Sequence, residues 1–321
     1  TDAAREVARS LLAGERKAVL LGNAAAQHPQ ASALLALASW IAEQCGASVG
    51  YFGEAANAVG AQLVNVLPGP GGVDAGRMLH QGMKALLLLN VEPALDAADA
   101  AAATTALQGS GLVVALTPFK DAVVESADVL LPIAPFTETA GSFVNAEGRL
   151  QSFAGVVLPR AEARPAWKVL RVLGNLLGLA GFDFDSAEQV RAEALGDPAT
   201  LPQRLDNRVN ADFAGGAPGA GLERIADVPI YATDAIVRRA PALQATADAK
   251  EAVLAGLPSA LWAQLGLQAG DKVRVSQGGA SAVLGATEDA SLAANTVRVA
   301  AGHPATATLG AMFGAITVEK A

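Results

Sequence analysis

Cysteine is almost missing from this chain of 321 residues; Cys45 is the single one. No disulfide can close within the chain, which suits a reducing compartment. A cysteine-ligated iron–sulfur cluster needs several thiolates, so this stretch does not supply one. Cys45 sits in an apolar helical stretch and reads as a small buried hydrophobe. Histidine is scarce too: His28, His80 and His303 lie in three separate regions. They lack the His-Glu-x-x-His or paired-cysteine spacing that gathers metal ligands. Aromatic residues make up only 4%, so the core has to be built from Ala, Val and Leu through many small contacts.

Basic charge is also short, with 23 Lys and Arg against 31 Asp and Glu and a net charge of −8. Without a basic patch the main electrostatic term of nucleic-acid affinity is absent, which excludes DNA and RNA as expected partners. Mean hydropathy is +0.33, but the excess comes from alanine. The apolar runs 33–42 and 85–91 fall short of the ~18 residues that span a bilayer, so no direct membrane insertion is expected. Residues 1–12 look amphipathic rather than like a basic-then-apolar leader. Because the chain starts at Thr1 rather than Met, a processed or excised chain is expected. The turn Gly22-Asn23-Ala24-Ala25-Ala26 carries one glycine, where a dinucleotide fingerprint needs three. The loop 67–72 has no Lys-Ser/Thr after its glycines, and no Gly-x-Ser-x-Gly elbow occurs.

What is present is an alternation of apolar strands and helices through residue 180. Strand-like runs fall at 17–21, 47–52, 84–90, 112–117 and 128–133. Helical stretches fall at 30–45, 93–108, 120–126 and 164–177, the last with Trp167, Leu170, Leu173 and Leu177 on one face. The run 84–90 reads as a strand buried on both faces. This rhythm predicts an α/β fold with a doubly wound, mainly parallel sheet. Residues 1–180 form a Rossmann-like domain, 181–255 an irregular or helical connection with linker composition at 206–222 and Arg238-Arg239 near its end, and 256–321 a small β-barrel-like domain of short strands.

Residues 133–159 break the rhythm as a polar, loop-rich excursion at the C-terminal end of a strand, the edge where α/β sheets take ligands or partners. Within the loop 131–153, Glu138, Asn145, Glu147 and Arg149 are candidates for one buried hydrogen-bonded network, with Gly141 and Gly148 allowing tight turns. The plainer reading is that they fix a long loop onto its domain.

This segment resembles the signature of the molybdopterin oxidoreductase superfamily. The matching positions are Leu131, Pro132, Glu138, Gly141, Ser142, Asn145, Glu147, Gly148, Arg149 and Gln151. Further stretches are similar to the branch formed by the large peripheral-arm subunit of NADH:quinone oxidoreductase: 55–61 (Ala-Ala-Asn-Ala-Val-Gly-Ala), 164–178, 222–244, 265–276 and 312–319. The resemblance implies a non-catalytic structural region of that subunit. Its iron–sulfur clusters would lie in an N-terminal part outside this chain, leaving no cofactor, metal or catalytic residue here. It further implies the other peripheral-arm subunits as partners, a place at the cytoplasmic face of the bacterial inner membrane, and an isolated piece able to form a homodimer. The molybdenum ligand of catalytic relatives has no counterpart that can be assigned, and 280–315 is dominated by alanine and other small residues where relatives hold a pterin dinucleotide. Two alternatives stay open: a fragment of a true molybdopterin enzyme, formate dehydrogenase-like, with part of a pterin site, and a free-standing nucleotide-binding or scaffold protein.

Overall fold

A computed structural model describes residues 1–53, 55–206, 219 and 221–321. Most of the expected linker 206–222, namely 207–218 and 220, lies outside the described residues. The first part of the chain alternates strand and helix as expected. Strands β1 (Ala18–Leu21) and β2 (Ser48–Tyr51) pair in parallel. A second parallel ladder runs in the order β3 (Ala85–Leu89), β4 (Leu112–Thr117), β5 (Val129–Pro132). The mainly parallel α/β class therefore holds, with the strands hydrogen-bonded as a pair and a triplet. The helix Ala31–Cys45 packs on β1 and β2 and buries Ala38 and Ala42. Gly46 ends this helix in the left-handed conformation at φ 67°, which glycine adopts without steric cost.

Several local expectations are corrected. The run 84–90 is a strand, but Leu87 and Leu89 stay exposed, so it is not buried on both faces as its composition suggests. Residues 120–126 form turns rather than a helix, closed by Val123 N–H to Lys120 O and Ser126 N–H to Val123 O. The helix read over 93–108 is two, Pro93–Asp96 and Ala100–Gly109, the second capped by Asp99. Cys45 is half-buried, its thiol 3.1 Å from Ile41 O, rather than a core residue. The excursion 133–159 also contains regular structure: an antiparallel hairpin of β6 (Gly141–Val144) and β7 (Leu150–Phe153).

The C-terminal part is a mixed seven-stranded sheet. Its members are β8 (Glu223–Ile225), β9 (Ala255–Leu257), β10 (Lys272–Gln277), β11 (Ala280–Glu288), β12 (Thr296–Arg298), β13 (Gly314–Ala315) and β14 (Thr317–Lys320). The spatial order is β13-β8-β12-β9-β11-β10-β14. Its two edge strands, β13 and β14, are separated in the chain only by the buried Ile316, so the sheet curls until its edges nearly meet. The barrel-like expectation holds, and β8 joins it from within the stretch read as connection. Inward residues alternate along β10 and β11: Val273 faces Leu284 and Val275 faces Ala282 across the ladder. With Leu257, Val297 and Val299 they form the largest core cluster, each fully buried aliphatic side chain contributing about 1.5–3 kcal/mol.

Candidate functional site

The loop singled out by sequence folds as a hairpin with a side-chain-built turn. Asn145 Oδ1 accepts from Glu147 N–H at 3.0 Å and from Arg149 N–H at 2.9 Å. Gly148 sits at φ 77°, and a Cβ there would lie 2.8 Å from Pro202 Cα, so the turn needs glycine for both conformation and space. A Cβ at Gly141 would come within 2.4 Å of the Phe153 ring, so glycine makes room for that ring. The buried network expected of Glu138, Asn145, Glu147 and Arg149 is not what the structure builds. Glu147 and Arg149 meet at 3.9 Å with both side chains exposed, a pairing of little energetic weight. Glu138 stands apart and accepts Arg160 N–H at 3.0 Å, holding the strap that follows the hairpin. Pro132 ends β5 and its carbonyl accepts Arg164 N–H at 3.3 Å, while Gln151 is exposed opposite Phe143.

Two motifs that are distant in sequence are brought together here. Asn57, from the Ala-Asn-x-x-Gly-Ala turn, accepts Val144 N–H at 2.9 Å and so fastens that turn to the hairpin. Between them opens a cleft of about 370 Å³, bordered by Gly60, Gly141, Trp167 and Arg191. Arg191 donates to Ser152 Oγ at 2.7 Å, and Ser152 shares a hydroxyl contact with Ser142 at 2.9 Å. A larger, shallow groove of about 700 Å³ over β13 and β14 is lined without any charged side chain.

The carboxyl edge of the parallel strands, where such sheets take ligands, is held by charges that sequence reasoning does not connect. Glu92 follows β3, Asp96 stands one turn later, and Asp121 follows β4. All three are met by the Arg238-Arg239 pair. Arg238 reaches Glu92 Oε2 at 2.9 Å and also pairs with Asp96. Arg239 approaches Glu92 Oε1 at 2.6 Å and Asp121 Oδ1 at 2.8 Å, with its guanidinium 4.4 Å above the Phe119 ring. The Glu92 side chain is 5% exposed, so its charge is tolerable only because two guanidinium groups neutralise it. The hydrogen bond from Arg239 holds the Asp121 carboxyl below its ordinary range. Burial draws Arg239 down, but Glu92 and Asp121 outweigh that and leave it above its usual value. The signal in sequence is an arginine pair in an apolar segment and acidic residues just beyond two strand ends.

The same edge touches the barrel-like sheet. The His28 ring packs edge-on against Phe313 at 5.1 Å, and Gly302 approaches Leu95 O and Val228. Inside that sheet Arg224 is 3% exposed and donates to the carbonyls of Val299, Ala300, Gly310 and Ala311 and to Gln277 Oε1. Burial pulls this guanidinium down to about 10, so it remains charged at neutral pH and pins the loops that face the α/β part. Among the described residues no group of three or more His, Cys, Asp or Glu side chains converges as a metal site, and no helix is long and apolar enough to cross a membrane.

Residues 2–176 match the family described as Molybdopterin oxidoreductase. An NADH-quinone oxidoreductase subunit of Streptomyces coelicolor is 30% identical over 222 residues, 65% of this chain and 25% of that protein. An NADH-quinone oxidoreductase subunit of Mycobacterium bovis is 45% identical over 91 residues, 27% of this chain and 11% of its own. The mitochondrial NADH-ubiquinone oxidoreductase 78 kDa subunit of Neurospora crassa is 34% identical over 138 residues, or 39% and 18%. The chain thus spans a quarter or less of these relatives. Among solved structures, acetylene hydratase from Pelobacter acetylenicus superposes with a TM-score of 0.55 at 16% identity, covering 77% of this chain and 46% of that one, which shows a shared fold.

Proposed function

The chain belongs to the molybdopterin oxidoreductase family, and from that membership we propose that it is a non-catalytic C-terminal structural region of the large peripheral-arm subunit of an NADH:quinone oxidoreductase. The observation that carries this reading is the sealed carboxyl edge. A molybdopterin carries phosphate, and an edge made for it would offer free N–H groups and glycines that allow close backbone approach. Here the edge presents Glu92, Asp96 and Asp121, already paired to the chain's own arginines. The helix after β1, Asn23–Ala26, is a single turn. These residues do not fit the pterin group. What they do is fasten the connection at Arg238 and Arg239 to the ends of β3 and β4.

In this reading electrons pass through iron–sulfur clusters outside residues 1–321, the other peripheral-arm subunits are the partners, and the region lies at the cytoplasmic face of the bacterial inner membrane. The relatives named as subunits of NADH-quinone oxidoreductase support it. The signature positions Pro132, Glu138, Gly141, Asn145, Glu147, Gly148, Arg149 and Gln151 then serve to shape and fasten the hairpin. The test is native electrophoresis of mildly solubilised host membranes with a tag on this chain. The tag is expected to migrate with NADH:quinone oxidoreductase activity. Migration apart from that activity, or stoichiometric molybdenum in the purified chain, overturns the proposal.

A further inference from the structure

Charge is unevenly spread along this chain. Its net charge is −8, yet residues 160–182 hold Arg160, Arg164, Lys168 and Arg171 against the single acid Glu162. Among the described residues none of these four cations forms an ion pair. Arg164 turns its guanidinium onto the carbonyls of Ala161 and Ala163, and Lys168 Nζ stands 5.4 Å from the centre of the Trp167 ring. The Nε atom of Arg171 is buried without an acceptor.

Lys168 and Arg171 stand on the helix Ala166–Leu176. Residues four apart share a face of a helix, so Lys168, Val172 and Leu176 form one row with Arg171 and Asn175 beside it. That row looks outward. Lys168 and Asn175 are exposed, and Val172 and Leu176 are 50% and 80% exposed. Leu177, expected on the inward face with Trp167, Leu170 and Leu173, is 65% exposed, and Leu179 just beyond it is 52% exposed. The opposite face is fixed against the chain: Trp167, Leu170 and Leu173 are half-buried, and a Cβ at the buried Gly174 would lie 2.4 Å from the Phe182 ring. Charge decides what fits the outer row. Apolar side chains flanked by unpaired cations match a helix that carries its own apolar row with Asp or Glu at its flanks, since apolar contact gives affinity and opposite charge gives orientation. A second copy in an isologous contact would set the same Lys168 and Arg171 against each other.

We infer that the outer face of the helix Ala166–Leu176, through Lys168, Arg171, Val172 and Leu176, docks an acidic amphipathic helix of a neighbouring peripheral-arm subunit. This rests on the proposed place of the chain in NADH:quinone oxidoreductase. The test is site-specific photocrosslinking in the host, with benzoylphenylalanine placed in turn at Val172 and Leu176 of the tagged chain. Irradiated membranes are solubilised, the tagged complex is recovered, and crosslinked peptides are identified by mass spectrometry. Both positions are expected to crosslink to one helical segment of another subunit with Asp or Glu beside its apolar row. Lys168→Glu with Arg171→Glu is expected to lower the yield about tenfold, and Lys168→Arg with Arg171→Lys to keep it. Crosslinks to lipid, to a second copy or to a segment without acidic residues, no crosslinks at all, or a yield indifferent to the reversal overturn the inference. Should the reversed chain fail to fold, the crosslinks of the unreversed chain decide alone. Co-migration of the tag with NADH:quinone oxidoreductase activity is read in the same samples. If it persists while the crosslinks fail, only this inference falls; if it is lost, both fall.

Discussion

The parallel ladders and the barrel-like sheet are built from the same alanine, valine and leucine, yet they treat them differently. In the barrel-like sheet Leu257, Val273, Val275, Val297 and Val299 are wholly buried, because a sheet that curls on itself covers one face with its own opposite wall. In the α/β part Leu20, Leu87 and Leu89 remain in water, because a parallel ladder cannot cover its second face without another layer. Closure depends on one short link: Ile316 carries the chain from one edge of the sheet to the other. Self-sufficiency thus follows from topology rather than from composition. One region buries its inward aliphatic side chains against itself, and the other buries Val113, Ala115 and Leu116 but leaves Leu20, Leu87 and Leu89 exposed.

The largest effect is expected where the connection is fastened to the α/β part. Arg238→Met leaves Glu92 buried with only Arg239 to neutralise it, and stripping a partner from a buried charge costs about 3–5 kcal/mol. Urea unfolding followed by fluorescence is expected to show the α/β transition shifted by that amount, with the barrel transition little changed. A loss below about 1 kcal/mol would mean the pair is decorative. Next in size, Leu257→Ala opens a cavity in the closed core and is expected to cost about 2–5 kcal/mol. The same truncation at Leu87 is expected to stay near ~0.5 kcal/mol in the chain alone, as for other exposed positions. Equal costs at the two leucines would erase the contrast between the regions. Asn57→Ala removes the acceptor of Val144 N–H and should cost about 1–2 kcal/mol. Hydrogen exchange should then quicken at Val144 while β10 is unaffected.

Legibility in the sequence follows the same divide. Strand β4 is readable residue for residue, because a run of apolar β-formers between turns admits few alternatives. Strand β10 is readable from alternation, whereas β8 and β9 are too short to stand out from the connection. The β6–β7 hairpin is not, because its turn is closed by the Asn145 side chain and its strands carry no clean period of two. The charged seal is invisible for a simpler reason: Arg238 and Glu92 stand 146 positions apart, and Arg239 and Asp121 118 apart. No local pattern links them, and the expectation of a network falls on the hairpin, where charges are close in sequence but exposed in space. The exposure of Leu87 and Leu89 is equally out of reach, since composition reports what a strand is suited to cover and not what is there to cover it.

The smallest predicted effect probes the barrel side of the comparison through pH. Burial lowers the pKa of His303 from its ordinary 6.5, and its Nδ1 accepts Ala305 N–H at 3.1 Å, a bond that needs the neutral ring. The folded chain therefore resists protonation at a pH where the unfolded chain accepts it. The associated stability is complete above the unfolded value of 6.5 and is lost as pH falls through the lower folded value. Asp271 and Asp289 in the same region also have lowered values, from 3.8, through Lys320 and Ser291 respectively. Their contributions begin to fail only as pH falls toward 3.8, below the 6.5 at which the histidine's loss begins. His303→Asn keeps an acceptor at the helix cap while removing the titration. The urea midpoint of the barrel transition is expected to drop between about pH 7 and about pH 5 in the natural chain and to stay nearly flat in the variant. Parallel losses in the two chains would place the pH sensitivity in a titrating group other than His303.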